Sequence, residues 1–188
     1  AIPETILPPA LKAAGGYTTA PPNLDLSADY KIVSRATGRF VDANYAYAFQ
    51  ASSHGGDSQR WELRPLSGGF YAMKSKRHGR FLTVKDGSAE HGARIVVTDD
   101  NSTTTEAATW AVVPVGEDDY ALVNRRSGKW LEATEAAAED RTLQQSDWHG
   151  GRHQLWGFAV AGPERCTEIE FAVTSIQVLK ASNFGPFG

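Results

Sequence analysis

A segment of strand-like sequence occurs three times, and that repetition limits the fold more than any other feature of the chain. Tyr30, Gly38, Phe40, Val41 and Asp42 mark the first copy. Tyr71, Gly79, Phe81, Leu82 and Thr83 mark the second, and Tyr120, Gly128, Trp130, Leu131 and Glu132 the third. Each copy closes on a tryptophan: Gln59-Arg60-Trp61, Ala108-Thr109-Trp110 and Gln154-Leu155-Trp156, the tryptophans lying 49 and 46 positions apart. Such regular recurrence assigns Trp61, Trp110 and Trp156 to the core.

Within a copy the pattern predicts four short strands. Tyr30–Ser34, Tyr71–Lys74 and Tyr120–Asn124 alternate or are rich in β-branched residues, and a glycine then supplies a turn with positive φ. Second strands follow at Phe40–Ala43, Phe81–Val84 and Trp130–Ala133. Third strands cover Ala48–Ala51, Arg94–Thr98 and Thr142–Gln145, and the tryptophan segments form the fourth. Three four-stranded units joined by short turns predict an all-β, closed or capped antiparallel architecture, which removes exposed sheet edges. With 188 residues, the chain suits one domain with extensions. We divide it into an N-terminal Pro/Ala-rich arm (1–29), a repeat domain (30–162, with units of about 30–69, 70–118 and 119–162) and a C-terminal extension (163–188). Pro9 to Ala14 can form a short helix stopped by Gly15 and Gly16, and Ile169–Leu179 is strand-like.

The tripled Gly-x-aromatic-aliphatic step with Gln-x-Trp resembles the ricin-B-like β-trefoil lectins over about residues 30–160. The resemblance implies a β-trefoil of three four-stranded repeats. Gln-x-Trp is intact in units one and three and lost in unit two, where Ala108 replaces Gln. Fascin-like trefoils share the glycine step but not the Gln-x-Trp motif.

The resemblance also implies carbohydrate binding. Sugar recognition needs an aromatic face against the C–H face of the ring, a carboxylate accepting from neighbouring hydroxyls, and auxiliary polar groups. The family's carboxylate position falls on Asp42, Thr83 and Glu132, so unit two is blank. In unit three, Glu132 is joined by Gln144, Gln145, His149 and His153, with Trp148 beside a Gly-Gly loop as the expected stacking platform. Unit one offers Asp42, Gln50, His54 and Asp57, with Tyr45 or Tyr47 as platforms. Gln59 and Gln154 lie beside the site and also brace the fold. The plainer alternative is that Asp42 and Glu132 anchor turns and Trp148 packs under an arm.

The turns around the repeated glycines are basic: Arg35 and Arg39; Lys74, Lys76, Arg77, His78 and Arg80; Arg125, Arg126 and Lys129. They can form a positive ring that favours sulfated or sialylated glycans, or they can simply solvate the turns. The whole chain carries a net charge of -3, which argues against general attraction to nucleic acid or anionic membranes. No apolar run reaches membrane-span length.

No Gly-x-Ser-x-Gly, phosphate loop or His-Glu-x-x-His occurs. His149 and His153 have helical metal spacing, but Gly150 and Gly151 between them oppose a helix. Asp99-Asp100-Asn101 reads as a polar turn, and the single cysteine, Cys166, as an unremarkable thiol. No enzyme activity, metal or cofactor is expected. The start at Ala1 without Met suggests removal of upstream residues, a cleaved secretory signal being one explanation and trimming another. Asn101-Ser102-Thr103 is a glycosylation sequon. Two functions follow. One is a secreted, non-catalytic lectin binding glycans or glycoproteins. The other is a degenerate trefoil that contacts a protein through its arms, as a toxin accessory subunit, protease inhibitor or cytoskeletal binder.

Overall fold

A computed structural model describes residue 7 and residues 22–99, 105–134 and 142–162. The Pro9–Ala14 and Ile169–Leu179 segments, the sequon and Cys166 lie outside the described residues. Unit one contains β1 (Asp29–Ser34), β2 (Phe40–Ala43), β3 (Ala48–Ala51) and β4 (Trp61–Pro65). Unit two contains β5 (Phe70–Ser75), β6 (Phe81–Val84), β7 (Ile95–Thr98) and β8 (Trp110–Pro114). Unit three contains β9 (Tyr120–Asn124), β10 (Trp130–Ala133), β11 (Leu143–Ser146) and β12 (Trp156–Val160). Among the described residues no helix is long and apolar enough to cross a membrane.

The first and fourth strands of each unit close a six-stranded antiparallel barrel: β1 pairs β4, β4 pairs β5, β5 pairs β8, β8 pairs β9, β9 pairs β12, and β12 returns to β1. The second and third strands form hairpins β2–β3, β6–β7 and β10–β11. Single bridges join these hairpins: Tyr47 to Val96, Phe49 to Thr142 and Arg94 to Gln144. The architecture is a β-trefoil.

The repeated residues explain the closure. Trp61, Trp110 and Trp156 are each 0% exposed. Each indole N–H donates to the carbonyl of a second strand: Trp61 to Val41 at 3.0 Å, Trp110 to Leu82 at 2.9 Å and Trp156 to Leu131 at 3.1 Å. One side chain therefore fills the barrel and ties it to the hairpin of its own unit. The ring needs an apolar site and the N–H a buried acceptor, and tryptophan meets both demands. Gly38, Gly79 and Gly128 have φ of 66°, 67° and 65°, the left-handed turn conformation that favours glycine.

Units are also stapled to one another by two buried glutamines. Gln50 accepts from Thr37 Oγ1 at 2.7 Å and donates to the carbonyls of Thr134 and Thr142 in unit three. Gln145 accepts from Ser127 Oγ at 2.7 Å and donates to the carbonyls of Ser88 and Glu90 in unit two. At the N-terminal end, Leu7 is buried in a second apolar cluster with Phe70, Val113, Val123 and Trp130.

Candidate functional site

Unit one places a carboxylate under tight control. Asp42 stands on β2, and its side chain is only 5% exposed. Strand register sets Phe49 of β3 directly opposite it, so both side chains share one face of the hairpin. His54 follows β3. Its ring Nδ1 accepts the Gly56 N–H at 3.0 Å. In the neutral ring the proton therefore sits on Nε2, which donates to Asp42 Oδ2 at 2.6 Å. Gln59 completes the arrangement: its amide donates to the same Oδ2 at 3.1 Å and to the Ser52 carbonyl at 2.8 Å, while its oxygen accepts the His54 N–H at 3.0 Å. Oδ2 is thus held from two sides, and no donor among the described residues reaches Oδ1. Asp42 faces an open hollow of about 330 Å³, whose other walls include Phe49, Tyr45, His54, Ser58, Arg77 and His78. Tyr45 is 72% exposed and rests on the His78 ring, centroids 4.4 Å apart.

Unit three repeats the scaffold with a longer acid. His149 Nδ1 accepts the Gly151 N–H at 3.1 Å, and Nε2 donates to Glu132 Oε2 at 2.6 Å. Gln154 accepts the His149 N–H at 3.0 Å and donates to Ser146 Oγ and the Asp147 carbonyl. Ser146 Oγ donates in turn to Glu132 Oε2, and Gln144 donates to Oε1 at 2.7 Å. Burial alone pushes the Glu132 carboxyl up, but hydrogen bonds from Ser146, His149 and Gln144 together outweigh it and hold the group below its usual range. The protein thus engages both carboxylate oxygens. The hollow here is lined by Glu132, Ala133, Thr134, Gln144, His149 and His153, with no Phe, Tyr or Trp ring among the described residues.

The two scaffolds share a local sequence, His54-Gly55-Gly56 and His149-Gly150-Gly151, each five residues before the glutamine of Gln-x-Trp when counted from the histidine. The second glycine is required by space. A Cβ on Gly56 would lie 3.0 Å from His54 Nδ1, and one on Gly151 would lie 2.7 Å from His149 Cε1. In unit two, Thr83 replaces the acid, and its hydroxyl meets Thr98 Oγ1 at 2.8 Å.

Several expected site residues are placed elsewhere. Gln50 and Gln145 are buried, with their amides committed to the contacts between units, because their side chains point away from the acid-bearing face. Trp148 packs on Trp130, ring centroids 4.6 Å apart, in the apolar cluster that holds Leu7, and it does not line the hollow of Glu132. Gln144, His149 and His153 do gather there with Glu132, as Asp42 and His54 gather in unit one. Tyr47 packs under the Arg94 guanidinium at 4.8 Å. Phe49 is a hollow-lining residue that motif reasoning missed.

The sequence matches the family model described as ricin-type beta-trefoil lectin domain-like over residues 23–98 and 101–185. No curated protein matches it. Among solved structures it is similar to ThreeFoil, a designed threefold symmetric protein, at 30% identity over 70% of this chain and 97% of that one, with a TM-score of 0.65. The exo-beta-1,3-galactanase 1,3Gal43A from Clostridium thermocellum matches at 26% identity and a TM-score of 0.66; the match covers 71% of this chain but 30% of the galactanase. The Macrolepiota procera ricin B-like lectin, solved in complex with lactose, shares the fold at 18% identity, covering 73% of this chain and 99% of the lectin, with a TM-score of 0.64. The tripled glycine step, the three tryptophan ties and the match along most of the chain lead to one assignment: this protein belongs to the ricin-type β-trefoil lectin domain-like family.

Proposed function

We propose that the chain is a non-catalytic carbohydrate-binding module whose working site is the hollow of unit one. The observation that carries this reading is Asp42, a nearly buried carboxylate held through Oδ2 by His54 and Gln59, with Oδ1 left for a ligand beside the Phe49 ring. Oδ1 accepts sugar hydroxyls in charge-assisted hydrogen bonds. Phe49 and Tyr45 offer apolar faces to the C–H side of the ring, and Ser58 adds a hydroxyl at the wall. His54 fixes the acid and excludes the wrong rotamer. Unit three is the weaker site, because Gln144, Ser146 and His149 already occupy its carboxylate and no Phe, Tyr or Trp among the described residues lines its hollow.

One further point favours binding over hydrolysis. Glycoside hydrolysis places two carboxyl groups across the scissile bond. Each hollow is lined by one carboxylate among the described residues: Asp42, Asp86 or Glu132. The partners are then glycans or glycoproteins, and a secreted setting follows from where such glycans are displayed. A glycan array of the wild type beside Phe49→Ala and Trp148→Ala tests the reading. Phe49→Ala should abolish or sharply weaken binding and Trp148→Ala should leave it unchanged. Loss in Trp148→Ala alone, or a blank array with folded protein, would overturn it.

A further inference from the structure

The basic turns do not act as one ring, because most of their charges are already matched. Arg35 pairs with Asp119 at 2.6 Å, Arg80 with Asp99 at 2.8 Å, Arg125 with Glu106 at 3.5 Å, Lys76 with Asp29 at 3.4 Å and Lys129 with Asp147 at 2.7 Å. Arg77 and Arg126 stand apart. Each lies two residues before its repeated glycine, makes no ion pair among the described residues, and lines the hollow of the preceding unit. The matching position in unit one is Ala36, and the hollow of unit three is lined by no arginine or lysine among the described residues. Arg126 borders a hollow whose acid position is Thr83 and whose one lining carboxylate among the described residues, Asp86, lies on the turn after β6 instead. Of the three hollows described, the one in unit one combines a carboxylate at the acid position with an arginine.

The geometry points to an acidic glycan as the ligand of unit one, with Arg77 binding its carboxylate or sulfate while Asp42 accepts its hydroxyls. This inference rests on the sugar-binding reading of the same hollow. A guanidinium presents a planar fork of donors that fits a carboxylate or a sulfate. Arg77 is exposed and unpaired, so little must be broken before it turns to a ligand. Hydrogen bonds from His54 and Gln59 to Oδ2 partly offset the Asp42 charge, which lowers the repulsion an anionic group would meet in the hollow. His78, from the same turn as Arg77, props the exposed Tyr45 ring, so the neighbouring unit supplies both the cation and the support for an aromatic wall. The chain as a whole carries -3, so a preference for anions has to come from a local group of this kind.

The test compares neutral glycans with their sialylated, sulfated and uronate counterparts on one array, using the full chain, Arg77→Ala, Arg80→Ala and Asp42→Asn. Wild type should bind acidic members about fivefold more tightly than their neutral parents, the scale of one partly exposed ion pair. Arg77→Ala should erase that preference, so that acidic and neutral members bind equally. Arg80→Ala removes the same charge from outside the hollow and should keep the preference. Separate sialyl, sulfo and uronate arms identify the anion. Equal binding of neutral and acidic members, or a preference that survives in Arg77→Ala, overturns the inference and leaves sugar binding standing. Sugar binding indifferent to Asp42→Asn overturns the site itself, and the inference falls with it.

Discussion

Replacing Trp110 with Phe isolates the tie between barrel and hairpin, because unit two has Thr83 where the other units place the site carboxylate. Trp110 is 0% exposed, and its N–H donates to the Leu82 carbonyl at 2.9 Å. Phenylalanine removes two buried carbons, at about 0.8 kcal/mol each. It also leaves the Leu82 carbonyl without its donor, which costs roughly 1–3 kcal/mol when the acceptor is buried. The sum is about 2.6–4.6 kcal/mol, or a fall in Tm of roughly 5–18 °C for a domain of this size. Trp148→Phe is the control. Trp148 is only partly buried and is held by ring packing on Trp130, so the same change should cost less than about 1 kcal/mol. Urea unfolding of wild type and both variants, followed by tryptophan fluorescence and circular dichroism, gives the two differences directly. A Trp110→Phe cost within about 1 kcal/mol of the control would refute the claim that the indole N–H specifies this junction.

Other consequences are as direct. Gln50→Leu should destabilise by about 1–3 kcal/mol in urea, by leaving the Thr134 carbonyl without its donor while the Thr142 carbonyl keeps the Thr134 hydroxyl, without changing sugar affinity. Gly56→Ala should displace the His54 ring, whose Nδ1 would lie 3.0 Å from the new Cβ, and move the His54 imidazole resonances in NMR spectra. Glu132 has a native pKa below its unfolded value of 4.5, so the stability it adds is present above that value and disappears as pH falls through the native one. Glu132→Gln should therefore flatten the acid side of the stability–pH curve measured by urea unfolding.

The strand plan was legible because the constraints on it are local. Alternation, the positive-φ glycines and the recurrent tryptophans predict β2, β3, β6, β9 and β10 with their observed bounds and β1, β5, β7 and β11 within one residue, whereas the tryptophan segments mark only where β4, β8 and β12 begin. The acid positions were legible too, since they follow the glycine at a fixed distance along one strand. Their cross-strand neighbours were not. Asp42 pairs with Phe49, Thr83 with Val96 and Glu132 with Gln144, across hairpins of unequal length, so no constant spacing reveals Phe49. Gln50 is adjacent to Phe49 and polar, which drew attention to it, but one step along a strand reverses the face. Trp148 looked free because it sits in a loop. Its partner Trp130 lies on another strand and belongs to a cluster outside the barrel core, which no repeat pattern announces. The arginines of the glycine turns looked like one ring, and only the three-dimensional pairing separates Arg77 from Arg35, Arg80 and Arg125.

The central claim is that Asp42 is the hydroxyl acceptor of a working sugar site, and isothermal titration of Asp42→Asn against wild type tests it most directly, using the best ligand from the array. Asparagine keeps an oxygen for His54 and Gln59, so the fold should hold, with a stability change of about 1 kcal/mol or less. What is lost is the acceptor that faces the ligand, because the amide NH2 takes the Oδ1 position, and with it the negative charge; the loss is about 1 kcal/mol for each of two bonds to sugar hydroxyls. The account predicts a Kd about thirtyfold weaker in Asp42→Asn, with little change in the matching Glu132→Gln variant. Equal affinity in wild type and Asp42→Asn, or a larger loss in Glu132→Gln, would contradict it.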